Sequence, residues 1–413
     1  MTASGFLLLG VSFLFTGYYE TWELYNIPAL RPFFADLRVI TAGAESRALG
    51  YDPLLNNPAD PWGRTLNYPR AWQSLYLAGI NQSHTVYIGI ALWMLFVISL
   101  FLFTSDNITR GTALLILLIV FSPAVLFGIE RGNIDLLMFF ILSVALVSMN
   151  KDARIYILFA YGLILSAFLL KLYPVFGFVS SLREKKGLAL LINFTFLTAA
   201  CIYAGYFYSD LRLISLATPR PTKLAYGADV LWMGINDRNA VVGQVVRLLS
   251  YAGLLLSTVV MLGGFFDGKS RPDEKADVDR KSMDAFRMGS GIYAGTFLLG
   301  SNCDYRLVFL LFVIPQLVFW TKHFSGYVSR ISKILIFSIL ISAWHLEWLQ
   351  VFSLLPVGRE LAFLVEESAN WITFGGLVYL VSYSMPFWIK HMVTTALGPL
   401  IHWRRTKSPS HAL

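Results

Sequence analysis

Apolar residues run along this chain in long stretches separated by short polar breaks. Most stretches are near or above the roughly 20 residues that cross a bilayer as a helix. They predict spans near 5–20, 85–104, 112–128, 133–149, 155–171, 173–182, 187–208, 240–266, 288–302, 305–321, 333–352 and 371–390. The pattern is that of an all-α polytopic membrane protein, since repeated apolar runs of helical length satisfy their backbone internally. The first run, 6–15, is short enough for a signal peptide. No Lys or Arg precedes it and no small-x-small site follows, so it reads as a retained first span. The run 173–182 is too short to cross straight. It predicts a re-entrant hairpin or a helix broken at Pro174, either of which needs a protein-lined cavity.

One long stretch breaks the pattern. Residues 20–84 carry five Arg and six Asp/Glu among many aromatics, and in a chain that is mostly span this loop is the natural home for chemistry. Within it, Leu37, Ile40, Ala44 and Ala48 recur at helical spacing and Gly50 follows, predicting a helix over 36–49. Asp36 falls near the positive end of that helix, and capping it is the simplest role. A second polar stretch, 209–239, predicts a short surface helix beside the first loop.

Composition agrees with the pattern: 56% of the 413 residues are hydrophobic and 14% charged, a balance no soluble domain of this length sustains. The distribution of charge then sets the orientation. The loops 105–111, 150–154, 183–186, 267–287 and 322–333 and the tail from Lys390 hold 19 of the 33 Lys/Arg but 9 of the 25 Asp/Glu. By the positive-inside rule they are cytoplasmic, with both termini inside and 20–84 and 209–239 outside. The net charge of +8 therefore implies no nucleic-acid partner, and the tail H-W-R-R-T-K reads as an anchor for anionic lipid. The polar run 267–287 reads as a mobile cytoplasmic linker between an N-terminal module, 1–266, and a C-terminal one, 288–413. The two cysteines, Cys201 and Cys303, suggest neither a disulfide framework nor a metal site.

In this topology the unusual charges at span ends face outward: Glu130, Arg131, Asp135, Lys171 with Tyr173, Arg247, Asp304, Arg306, His345 and Glu347. Each costs several kcal/mol at membrane depth unless paired or hydrated. Simple pairings account for some, Glu130 with Arg131 and Asp304 with Arg306, and Lys171 can snorkel. Their collection on one side, against a long acidic loop, suggests a site for a lipid-linked phosphate. Cations would hold the phosphate and a carboxylate would take a proton from an attacking hydroxyl. No phosphate-cradling glycine loop and no zinc-protease or dinucleotide motif is present.

Short motifs in succession carry a resemblance. D-L-R-V-I-T-A-G-A (36–44), A-L-G-Y-D-P (48–53) and N-Y-P (67–69) resemble the first outer loop of GT-C membrane glycosyltransferases. The likeness is to the polyprenol-phosphate-mannose-dependent mannosyltransferases of glycosyltransferase family 87. E-R-G-N-I-D (130–135) resembles that family's Arg-Gly-Gln element, K-L-Y-P (171–174) its Lys-x-x-Pro element, and D-Y-R-L (304–307) with Pro315 its late Tyr-Arg segment. Two departures touch acceptor recognition: Arg70 stands where the family has a second Pro after Tyr-Pro, and Asn133 where it has Gln. The resemblance implies a GT-C bundle of about 12 spans with outer-face juxtamembrane helices. The implied reaction is an inverting, metal-free hexosyl transfer, mannose first, from a polyprenyl-phosphate sugar to a lipid or glycan acceptor at the outer face. It needs no cofactor, and the first setting expected is a bacterial inner membrane. An endoplasmic-reticulum membrane of the same topology fits the residues as well. Asp36 would be the general base, and Arg131, Lys171 and Arg306 would hold the donor phosphate. Glu45, Asp52, Tyr68, Tyr173, Asp304 and His345 would be acceptor or sugar contacts. A lipid-linked-oligosaccharide transporter and an O-antigen-type polymerase or ligase are the rival readings, and the former usually shows repeat-related halves, which this chain lacks.

Overall fold

The computed structural model of the protein describes residues 2–104, 108–151, 153–267 and 280–395. It is 78% helical. Its one sheet among the described residues is a two-residue antiparallel pair, Ala225–Tyr226 with Asn302–Cys303.

Four helices are long and apolar enough to span a bilayer unbroken: Gln82–Phe103, Arg154–Lys171, Lys186–Tyr206 and Ala240–Asp267. Four further apolar segments are bent pairs: Arg110–Val120 with Pro123–Arg131, Asp304–Phe312 with Ile314–His323, Tyr327–Ala343 with His345–Phe352, and Gly358–Tyr383 with Phe387–Thr395. Counting each pair as one span gives up to eight, each on one of the twelve expected apolar runs. Hydropathy averages over a window and cannot register a bend, but each bend falls within a single expected run; the four runs left over are 5–20, 133–149, 173–182 and 288–302. Three of the bends fall at Pro123, Pro315 and Pro386, where the missing N–H and the ring break the helical ladder. The fourth, of 68° before His345, has no proline. Gly5–Thr16 and Asp135–Met149 are apolar but shorter.

Other boundaries move for similar reasons. The 173–182 run is neither a hairpin nor a helix broken at its proline. It is a 3-10 helix, Tyr173–Arg183, with Pro174 in its first turn, packed against the Arg280–Leu298 helix. That helix reaches back through the last eight residues of the expected linker, because Asp284 is buried in an ion pair with Arg183. The rest of the linker, 268–279, and the basic tail H-W-R-R-T-K lie outside the described residues. Around the site the Gln82–Phe103, Asp135–Met149 and Arg154–Lys171 helices pack in sequence, while Gly358–Tyr383 packs on Ala240–Asp267 and Tyr327–Ala343. Leu248, Leu255 and Val259 on one helix, and Leu191, Phe194 and Leu197 on another, are exposed. Contiguous apolar surface of this kind is compatible with a lipid surround.

Candidate functional site

The predicted loop helix forms as Ala35–Ala48, and its start is fixed from outside. Phe34, just before it, has a left-handed backbone (φ 59) and its ring sits against two glycines. A Cβ at Gly89 would lie 2.6 Å from that ring and one at Gly132 would lie 2.9 Å from the Phe34 Cβ. Gly132 also has φ +58, so both backbone and contact require glycine there. The two residues before it hold the approach to the helix. Leu30 N–H donates to Glu130 Oε1 at 3.1 Å, Arg131 Nη2 donates to the Pro28 carbonyl at 3.2 Å, and Glu130 pairs with Arg131 at 3.2 Å. Arg131 also lies 4.8 Å over the Phe127 ring. The expected Glu130–Arg131 pair is thus real, and it clamps the strand of chain that delivers Asp36.

Asp36 does not cap its own helix. It is half-buried, and its Oδ2 accepts from Asn133 Nδ2 at 2.6 Å. Asn133 is fully buried, and its Oδ1 accepts from Lys171 Nζ at 2.8 Å and from Asp135 N–H at 2.9 Å. Asp135, at the head of its helix, pairs with Lys171 and accepts from the Tyr173 hydroxyl. Arg306 Nε stands 3.6 Å from the other Asp135 oxygen, and Arg306 also donates to Asn302. Two carboxylates and two cations are therefore gathered within one polar cluster, where an unpaired charge would be strongly destabilising. Lys171 is 7% exposed and does not snorkel.

Aromatic rings close the cluster. The Lys171 ammonium is 5.3 Å from the Tyr68 ring, and the Arg306 guanidinium 4.8 Å from that of Tyr173. Burial, followed by the nearby Asp36 charge, pushes the Tyr68 phenol well above its ordinary pKa, so it stays a neutral hydroxyl. Trp72 donates from Nε1 to the Leu170 carbonyl at 2.9 Å, tying the 20–84 loop to the helix end that bears Lys171.

Of the residues expected from the sequence, Asp36, Lys171, Arg306, Tyr68 and Tyr173 come together. Arg131 holds the chain upstream and does not join them. Asp304 does not pair with Arg306; it faces His345 and Glu366 in a second buried cluster. Glu45 accepts from Gln82 N–H at 3.0 Å, at the start of the Gln82–Phe103 span. Asp52 accepts from Arg70, which also binds Asp210 through two nitrogens at 2.7 and 2.8 Å. Arg70 thereby ties the 20–84 stretch to the short helix expected within 209–239, which forms as Tyr208–Ala217. Those hydrogen bonds hold the Asp210 carboxyl below its ordinary pKa. Glu347 accepts from Asn26, and Arg247 lies over Trp232 and Tyr251.

Two features go beyond the sequence reading. Asn133, singled out in the sequence only as differing from the Gln of the family it resembles, is the bridge from Asp36 to Lys171. Asp135, noticed only as a charge at a span end, is the anion shared by Lys171 and Arg306. The one advance signal was spacing: N-I-D directly after a helix-ending Gly puts both side chains on the same turn. A cavity of about 670 Å³ opens beside the second cluster, lined in part by Asn26, Lys223, Arg238, His345, Arg359 and Glu366. No protein-family model matches the chain, and no curated protein and no solved structure matches it.

Proposed function

We propose that the chain is a membrane glycosyltransferase that moves a hexose, mannose first, from a polyprenyl-phosphate sugar to a lipid or glycan acceptor. The observation that carries this reading is the link of the Asp36 carboxylate, through the single amide of Asn133, to Lys171. A base and a phosphate-binding cation then stand one side chain apart at the ends of apolar helices.

In this reading Asn133 restrains Oδ2 of Asp36, and Oδ1 takes the proton of the acceptor hydroxyl. The acceptor oxygen bonds to the anomeric carbon as the bond from that carbon to the phosphate oxygen breaks, with inversion. The polyprenyl phosphate leaves with the electron pair, and Lys171 and Arg306 stabilise the charge it gains. Asp135 holds both cations in place before donor arrives. A positioned base of this kind typically contributes about 10²–10⁴-fold to the rate.

The four bent helices favour a lipid-linked-sugar transporter as the second reading, since such proteins use broken helices at their sites. One experiment separates the two. Purified protein in detergent is given polyprenyl-phosphate mannose or glucose and a lipid extract, and new glycosylated species are sought by mass. Transfer is expected. No product with either donor, together with movement of the donor across reconstituted vesicles, would favour the transporter.

A further inference from the structure

Asp304, His345 and Glu366 form the second buried cluster, and the proposed transfer makes no use of it. His345 Nδ1 lies 3.3 Å from Asp304 Oδ2 and 3.5 Å from Glu366 Oε1, and the three ligating atoms all fall within 4.8 Å of one another. Asp304 is 1% exposed, and His345 and Glu366 are also buried. Neither oxygen of Asp304 has a hydrogen-bond partner among the described residues, and nor has Oε1 of Glu366. Buried carboxylate oxygens without donors are costly, and His345 Nδ1, which makes its hydrogen-bond contact with the Ser342 carbonyl at 3.3 Å, lies beyond 3.2 Å from both acids and does not satisfy them.

The cluster is also built to stay in place. Asp304 N–H donates to the Leu224 carbonyl at 2.9 Å, beside the short strand pair. His345 is the first residue after the proline-free 68° bend, which turns it towards the acids. Glu366 lies on the Gly358–Tyr383 helix, where the neighbouring Glu367 accepts from Asn370 at 3.1 Å. His345 and Glu366 both line the 670 Å³ cavity, which gives the cluster an entry path.

We propose that Asp304, His345 and Glu366 bind one divalent transition-metal ion, with an open coordination position facing the cavity. Ligands bonded at about 2.0–2.2 Å to a tetrahedral ion stand about 3.4 Å apart, close to the separations from His345 to the two carboxylates. One imidazole with two carboxylates suits Zn²⁺ or Mn²⁺, whereas Mg²⁺ and Ca²⁺ prefer oxygen alone. The ion would neutralise both carboxylates and leave the His345 ring proton on Nε2, replacing the long Nδ1 contact with the Ser342 carbonyl. The site shares no ligand with the Asp36–Lys171 cluster, so it stands or falls separately from the transfer reaction.

The test uses the full chain purified without a polyhistidine tag, stripped with chelator and dialysed against Zn²⁺, Mn²⁺, Mg²⁺ or Ca²⁺. Metal content per chain is then measured by mass spectrometry, and Co²⁺ is added as an absorbing probe of the site. One Zn²⁺ or Mn²⁺ per chain is expected, with a higher unfolding temperature and a Co²⁺ d–d spectrum. Asp304→Asn and Glu366→Gln, which preserve shape, should each lower affinity by at least about tenfold, the size seen for even outer-shell changes. Wild-type protein that takes up no stoichiometric Zn²⁺ or Mn²⁺ would overturn the site, leaving a cluster held by protons only. Equal binding by both variants would overturn it too, by placing the ion elsewhere. The wild-type measurement decides even where a variant fails to fold.

Discussion

Asn133 donates to Asp36 at 2.6 Å with one end of its amide and accepts from Lys171 at 2.8 Å with the other. A single buried side chain thus sets the distance between the proposed base and the proposed phosphate ligand. Asn133→Ala should lower turnover more than donor affinity, because it releases the Asp36 carboxylate to rotate. It should also cost about 1–3 kcal/mol of stability for the partners left without hydrogen bonds. Steady-state kinetics beside thermal unfolding checks this; an unchanged kcat in a destabilised protein would make Asn133 a packing residue alone.

The three expected phosphate ligands should separate. Lys171 and Arg306 face Asp135 in the cluster, while Arg131 is engaged with Glu130 and Pro28. Arg306→Ala should weaken donor binding by about 1.5–3 kcal/mol, and Arg306→Lys should recover only part. Removing Lys171 alone leaves Asp135 buried and under-paired, a loss of about 3–5 kcal/mol. Its binding role is therefore best measured as Lys171→Met in an Asp135→Asn background. Arg131→Ala should mainly lower stability. Binding measurements with a labelled donor decide among these, and an equal affinity loss at Arg131 would put it back in the site.

Gly132 can be tested for geometry alone. Gly132→Ala adds one methyl against Phe34 at a left-handed backbone position, so it should destabilise by more than the roughly 1 kcal/mol of an ordinary glycine replacement. It should also reduce turnover by displacing the segment that carries Asp36. A stable, fully active alanine variant would show that Phe34 can move without Asp36 following.

The tie that Arg70 makes between the 20–84 and 209–239 stretches has a pH signature. Hydrogen bonds from Arg70 depress the Asp210 pKa below its ordinary 3.8, so the folded state holds the ionised form more tightly than the unfolded state does. That stabilisation is complete above the ordinary pKa and is lost as pH falls through the depressed one. Arg70 is over a third exposed, so the contribution is on the order of 1 kcal/mol or less. The gap in unfolding temperature between wild type and Asp210→Asn should be steady from pH 7 to 5 and close in stronger acid. A gap independent of pH would mean that charge is not its origin.

Much of this was legible in the chain because burial pattern and charge are local signals. The 36–49 helix with Gly50 beyond it, the apolar segments, and the Glu130–Arg131 pair follow from spacing and neighbours. What escaped depends on contacts between distant segments. Hydropathy cannot show that Pro123 or Pro315 bends a span, nor that the Arg280–Leu298 helix buries charge inside a supposed linker. Nothing near Asp304 indicates that His345 and Glu366 meet it while Arg306, two residues on, turns to Asp135. The adjacent acids Glu366 and Glu367 in a largely apolar helix are the one local sign of that cluster, since buried carboxylates are costly without partners.

Asp36→Asn is the decisive variant for the proposed base. Asparagine keeps the size and can still accept from Asn133, but it cannot take the acceptor's proton. The variant should insert and fold as the wild type does and keep most of its donor affinity. Its rate of sugar transfer from polyprenyl-phosphate mannose should fall by about 10²–10⁴-fold. Near wild-type transfer by a well-folded Asp36→Asn protein would contradict the account.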